Sequence, residues 1–181
     1  DLIFTISVFK MQKLILFTVL AFLAVFPIRT VGQLPISAVQ ENSNQVKPDF
    51  RDDLISFAKG FLGIPYRYAS AKPEKGFDCS GFVHFVFSNF GVNVPHSSKA
   101  FKNLGMLVKP EDFKVGDVLV FYGYRNATQI GHVGIICEAA GMNSKFIHAS
   151  SGKVKEVIIS ELNSEMYKRR FFQCVDVITE K

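Results

Sequence analysis

Residues 77–87 read FDCSGFVHFVF. After Cys79 the apolar residues Phe82, Val83, Val86, Phe87 and Phe90 recur at three- and four-residue steps, which predicts a helix from about Cys79 to Gly91 with a broad buried face. The cysteine stands outside that face, at the polar start of the helix, between Asp78 and Ser80. There the free backbone N–H groups and the positive end of the dipole favour an anion, so a thiol can ionise well below its ordinary value of about 8.5. The same amides are candidates for an oxyanion hole, and Gly81 keeps the helix start uncrowded. A structural reading competes, because most cysteines are small buried apolar residues.

Upstream, Phe50, Leu54, Phe57 and Phe61 repeat with helical spacing, which predicts a first helix over 49–61, capped by Asp49 and stopped by Gly63. Between the two helices lies GIPYRYASAKPEKGFD, residues 63–78, rich in Gly, Pro, Lys and Ser and long enough to be a binding loop. Its Tyr66 and Tyr68 can stack on a substrate or donate to a carbonyl, or can simply pack against the helices. Asp78 is a candidate cap of the second helix.

The chain before the first helix has a different character. Residues 11–32 carry Lys13 and then a mostly apolar run over 14–28, the layout of a secretory signal peptide; a signal anchor is the competing reading. Residues 33–48 are polar and aperiodic and are expected to be a linker, residues 1–10 are expected to carry no structure, and the domain is expected to fill 49–181. An exported protein, periplasmic or extracellular, follows, with membrane contact only through an uncleaved signal segment. The formal charge of the 181-residue chain is +5. Its basic residues are scattered apart from the triplet at 168–170, which excludes a nucleic-acid stripe. With three cysteines, at least one thiol is expected to be free; Cys137 and Cys174 alternate within apolar strands and read as core thiols, with a bridge between them as the lesser alternative.

Downstream, PHSSKAFKNLG predicts a third helix capped near Ser97 or Ser98 and ended by Gly105. After residue 112 the pattern becomes one of short Val-, Ile- and Phe-rich segments separated by turns. Helices followed by an antiparallel sheet make an α+β domain. Asp117 is expected to fix a turn, and residues 160–168 form at most a short helix between strands.

Two strand histidines, His132 in GHVGIICEA and His148 in FIHAS, flank the apparent hairpin turn EAAGMNS. Pairing centred near Ala140 would set them opposite each other on one face of the sheet. His132 could then serve Cys79 as general base, with His148 orienting its ring from behind. Read alone, each is a partly buried strand histidine bonded to nearby backbone. The same three residues could bind zinc, but no fourth ligand and no CxxC or HExxH spacing accompanies them, so no metal and no cofactor is expected. His84 and His96 have no partner that the sequence identifies and read as ordinary surface or structural residues.

Taken in order, FLGIPYRY, FDCSGFV, VPHSS, FKVGDVLVF, IGHVGI and FIHAS resemble the NlpC/P60 family of bacterial cell-wall cysteine peptidases, whose fold is a reduced relative of papain. The resemblance runs from about residue 54 to 160. It implies helices packed on an antiparallel sheet, with Cys79 as nucleophile, His132 as base and His148 as third polar member. It also implies substrate contacts by Tyr66, Asp78, Ser80 and, at the position after Pro95, His96, and cleavage of murein stem peptides, often between the side-chain carboxyl of D-glutamate and a diamino acid. Two departures bear on substrate choice: Ala69 and Ser70 replace two usual glycines, and His96 follows Pro95 where arginine is common. No accessory wall-binding domain is recognisable. A CHAP-like murein amidase and a non-catalytic wall-binding module are the alternatives.

Overall fold

The computed structural model describes residues 50–178. The expected signal peptide, the linker, residues 1–10 and the cap at Asp49 lie outside the described residues. Helix α1, Phe50–Lys59, buries Leu54, Ile55 and Ala58. Asp52 and Asp53 in its first turn and Lys59 in its last complement its dipole. It ends two residues before Phe61, and Gly63 adopts φ +82°, a conformation that favours glycine. Phe57 and Phe61 reach the next helix, α2 (Cys79–Asn89), where both rings pack against Phe85.

The segment between these helices is more ordered than its composition suggests. Strands β1 (Ala71–Lys72) and β2 (Gly76–Phe77) pair antiparallel across a tight turn. Gly76, at φ +99°, passes so close to Pro65 that a Cβ there would lie 2.4 Å from the Pro65 carbonyl oxygen. The expected third helix is instead a 3₁₀ helix, Ser98–Asn103, and the Ser97 side chain does not cap it. Only Phe101 of this segment is buried, so a longer amphipathic helix would gain no further buried face.

The remaining strands are β3 (Met106–Val108), β4 (Val118–Tyr122), β5 (Ile130–Glu138), β6 (Lys145–Ala149), β7 (Val157–Glu161) and β8 (Phe171–Asp176). They form one antiparallel sheet in the order β3-β8-β4-β5-β6-β7. A short helix α3, Glu165–Arg170, joins β7 to β8. The expected α+β class, with N-terminal helices packed on an antiparallel sheet, is what the fold shows. Both sheet faces are buried: Val118, Val120, Val133, Ile135 and Ile147 pack with α1 and α2, whereas Leu119, Phe121, Ile136, Phe146 and Tyr167 form a second apolar cluster. Burial on both sides explains why β4 reads as the unbroken run VLVF. Cys137 belongs to the first cluster and Cys174 to the second, and both are free thiols, so the alternative of a bridge between them falls.

Arg51 fastens α1 to the sheet. Its Nη1 donates to Asp117 Oδ1 and to the Val115 carbonyl, each at 2.9 Å, and its Nη2 to Asp176 Oδ2 at 2.7 Å. Asp117 also accepts the Lys114 amide at 2.9 Å and so fixes the turn before β4, as its sequence context predicts.

The β5–β6 hairpin corrects the expected register. Ile135 pairs with Ile147 and Ile136 with Phe146, so the pairing is centred on residue 141, not 140. An irregularity at Cys137 and a turn in which Ser144 Oγ accepts the Ala140 amide at 2.8 Å account for the shift. Continuing this register sets His148 beside Gly134, diagonal to His132 instead of directly opposite. Gly134 makes room for it, since a Cβ there would lie 3.0 Å from His148 Cβ and 2.6 Å from Phe146 Cδ2.

Candidate active site

Asp78 organises the start of α2. With extended backbone (φ −86°, ψ 175°), its Oδ1 accepts the Gly81 amide at 2.7 Å and the Ser80 hydroxyl at 3.0 Å. Its Oδ2 faces His96 Nε2 at 3.1 Å. His96 in turn stacks on His84, with ring centroids 6.0 Å apart, and His84 Nδ1 donates to the Val94 carbonyl at 2.7 Å. Both histidines therefore have partners that the sequence did not reveal, and His96 occupies the carboxylate at the helix cap. Gly81 permits this closure: a Cβ at 81 would lie 2.2 Å from the Ser70 carbonyl oxygen and 2.8 Å from His96 Nε2.

Cys79 is the first residue of α2 and is buried. Its sulfur receives backbone amides from Val133, Ser80 and Cys79 itself, which favour the thiolate. Burial first, and the Asp78 charge second, outweigh them and push the thiol up to about 11. The helix-start argument thus gave the wrong sign, because it counted the amides and not the desolvation. The Val133 contact sets the sulfur against β5, one residue beyond His132; among the described residues no hydrogen bond joins it to either imidazole.

His132 Nε2 and His148 Nδ1 are 2.9 Å apart, with the two rings perpendicular. Behind them, His148 Nε2 lies 3.0 Å from Ser160 Oγ and 3.2 Å from the Tyr167 hydroxyl. Phe146 stacks on His148. Burial above all holds His132 well below the usual imidazole range, aided by His148 and the Arg170 charge. Burial also lowers His148 to about 3, with Arg170 contributing and an Ala149 backbone bond opposing. Both rings are therefore neutral near pH 7. If His148 donates from Nε2 to Ser160, its Nδ1 must accept from His132 Nε2–H, which leaves His132 Nδ1 with a free lone pair. That tautomer can accept a proton.

Tyr66 is half-buried; burial, then the Cys79 and Asp78 charges, push its phenol up to about 12, so it lies within electrostatic reach of both. Tyr68 is 84 % exposed. Of the expected site residues, Asp78, Ser80 and His96 form one hydrogen-bonded group at the helix start, with Tyr66 and Cys79 next to it, and His132 and His148 form a second group on the sheet. Sequence reasoning missed Ser160, Tyr167 and Arg170. The only trace of the last two was a tyrosine and a basic triplet on a short segment between strands.

The fold and the site define a class: a papain-like α+β domain with a cysteine at the head of a helix, its sulfur against the Val133 amide of β5, and paired histidines on the sheet. Residues 63–176 match the model of the NlpC/P60 family, and the chain belongs to that family. It is 34% identical over 118 residues to the gamma-DL-glutamyl hydrolase of Bacillus subtilis, covering 65% of this chain and 27% of that protein. It is 33% identical over 132 residues to the murein DD-endopeptidase MepS/murein LD-carboxypeptidase of Escherichia coli, covering 72% of this chain and 65% of that protein. The chain thus spans less than two thirds of the length of either relative. The crystal structure of an NlpC/P60 family protein from Bacillus cereus superposes with a TM-score of 0.63 at 29% identity, over 71% of this chain and 40% of that one.

Proposed function

We propose that this chain is an exported cysteine peptidase that hydrolyses peptidoglycan stem peptides, at the bond between a D-glutamyl side-chain carboxyl and a diamino acid. The observation that carries the reading is the hydrogen-bonded series Ser160/Tyr167–His148–His132, which ends one residue from Val133, whose amide meets the Cys79 sulfur. The names of the relatives support a hydrolase of glutamyl or murein peptides and differ in the bond cut. Export rests on the apolar run at 14–28.

Because the thiol is neutral and the imidazoles are weak bases, the resting state is an uncharged pair and the reaction is general-base catalysed. His132 Nδ1 takes the Cys79 proton as the sulfur attacks the scissile carbonyl carbon. Of the amides at the start of α2, that of Gly81 is committed to Asp78, so the Cys79 and Ser80 N–H groups that face the sulfur are the donors for the oxyanion. Collapse breaks the C–N bond, the leaving amine takes the proton from His132, and a thioester remains on Cys79. Water, deprotonated by His132, attacks the thioester; the peptide acid departs and the thiol recovers its proton. His148 keeps the His132 ring in the reactive tautomer throughout. Tyr66, Asp78, Ser80 and His96 line the acyl side of the cleft.

Incubation of wild type and Cys79→Ala with defined murein peptides, with products identified by mass, tests this. Release of the dipeptide ending in D-glutamate by wild type alone is expected. Equal release by both proteins defeats the assignment, and cuts at the sugar amide would identify an amidase instead.

A further inference from the structure

Arg170, the last residue of α3, is half-buried at the same end of the sheet as His132. Its Nε donates to the Tyr122 carbonyl at 2.9 Å, and its guanidinium lies about 6 Å from the ring centres of Tyr124 and Tyr167. Among the described residues no carboxylate pairs with it, and none accepts a hydrogen bond from its two Nη groups. The contrast with Arg51 is direct, because that cation is held by two carboxylates. Leaving a half-buried guanidinium unpaired is costly, and burial already pulls Arg170 below its ordinary range. Its charge reaches the working groups: it disfavours protonation of His132 and His148, and an anionic Cys79 would favour it.

A second observation points the same way. A cavity of about 270 Å³ opens beside Tyr122, the residue whose carbonyl holds Arg170. It is lined by Lys99, Lys102, Gln129, Ile130 and Phe172 among others and not by Arg170 or His132, so it adds two cations and no acidic residue to the surroundings of Arg170 without itself enclosing the guanidinium. The corner formed by the ends of β4, β5 and β8 is therefore electropositive and recessed, two residues from His132 along β5.

We propose that Arg170 anchors a carboxylate that the substrate carries next to the scissile amide. This deepens the peptidase reading and rests on it. A γ-linked glutamyl peptide offers two such groups: the free α-carboxylate of the glutamyl residue, and the α-carboxylate of the diamino acid, on the carbon that bears the scissile nitrogen. Arg170 presents two Nη donors to one planar acceptor, the match that guanidinium makes with carboxylate.

Four peptides separate the sources: L-Ala-γ-D-Glu-L-Lys with the glutamyl α-carboxyl and the lysine α-carboxyl each either free or as carboxamide. Wild type is expected to prefer the acid member of at least one matched pair by about 10- to 100-fold in kcat/KM, the range for a charge-assisted hydrogen-bonded pair. Arg170→Gln is expected to erase that preference, mainly through KM, the acid member falling about 10- to 100-fold further than any change common to both members; the pair affected identifies the carboxylate. Arg170→Lys, which keeps the charge but not the fork, should retain part of the preference and serves if the Gln variant does not fold. No preference in wild type, an unchanged preference in either variant, or an equal loss on acid and neutral peptides overturns the proposal. If wild type cleaves none of the four, calorimetric binding to Cys79→Ala decides: a carboxylate peptide that loses affinity at least tenfold when Arg170→Gln is added supports the anchor, and absence of binding or of any loss overturns it. Failure of cleavage with retained binding removes the peptidase reading and not the anchor; cleavage without discrimination removes the anchor alone.

Discussion

Replacing Gly81 by alanine would place a methyl carbon 2.2 Å from the Ser70 carbonyl oxygen. Ordinary contact requires a separation greater by about 1 Å. Ser70 O cannot retreat alone, because it accepts the Asp78 amide at 2.9 Å, and Asp78 caps the helix that begins with Cys79. The other near neighbour, His96 Nε2 at 2.8 Å, can rotate away only by leaving the Asp78 carboxylate. Overpacking of this kind costs about 1–3 kcal/mol, and alanine's better helix propensity returns about 1 kcal/mol. The net loss of about 0–2 kcal/mol lowers Tm by several degrees at most. Activity should suffer more, since a displacement of about 1 Å at the reacting groups costs on the order of 10²-fold in rate. Gly91→Ala is the matched control at the other end of the same helix. There a Cβ meets nothing within 4 Å, but φ is +73°, so alanine is strained by about 1 kcal/mol. The assay is kcat/KM on the peptide cleaved by wild type, beside Tm for both variants. Gly91→Ala should lose stability and keep turnover, whereas Gly81→Ala should lose turnover out of proportion to its stability. Turnover by Gly81→Ala within threefold of wild type would refute the reasoning.

Asp78→Asn keeps a competent cap but removes the charge that, after burial, does most to raise the Cys79 thiol. Alkylation of Cys79 by iodoacetamide at pH 8.5 should therefore speed up, with a midpoint below about 11, and an unchanged or slower rate would contradict this. His148 titrates near 3 when folded against an ordinary 6.5, so its neutrality contributes stability that is complete above 6.5 and lost as pH falls toward 3. Tm measured between pH 7 and 4 should fall less steeply in His148→Asn than in wild type; identical slopes would mean that the ring is not held neutral by burial.

Some of this was legible in the chain and some was not, for reasons of range. Helix α2 could be read because Phe82, Val83, Val86 and Phe87 repeat every three to four residues, and Cys79 stood out by falling off that stripe. The shared face of His132 and His148 could also be read. Moving the hairpin centre by one residue changes every partner by two positions, so parity is preserved while direct opposition is lost. The irregularity at Cys137 that caused the move leaves no mark in an apolar run. The short hairpin at 71–77 and strand β3 were missed because two- and three-residue strands have no period to detect. His96 and Asp78, 18 residues apart, meet only because the chain turns back after α2. The sign of the Cys79 shift was misjudged for the same reason: helix-end amides are local to the sequence, but the atoms that exclude water from the sulfur come from β5 and the loop before α2.

The match to the family model begins at residue 63, yet the guanidinium at position 51 holds one carboxylate in the turn before β4 and another at the end of β8. The packed unit is consequently longer than the stretch that the family model matches. A shortened version starting at 63 would strand Asp117, fully enclosed and already driven toward its protonated form by burial, without its counter-ion. Anyone trimming the chain for expression should therefore place the new N-terminus upstream of Arg51.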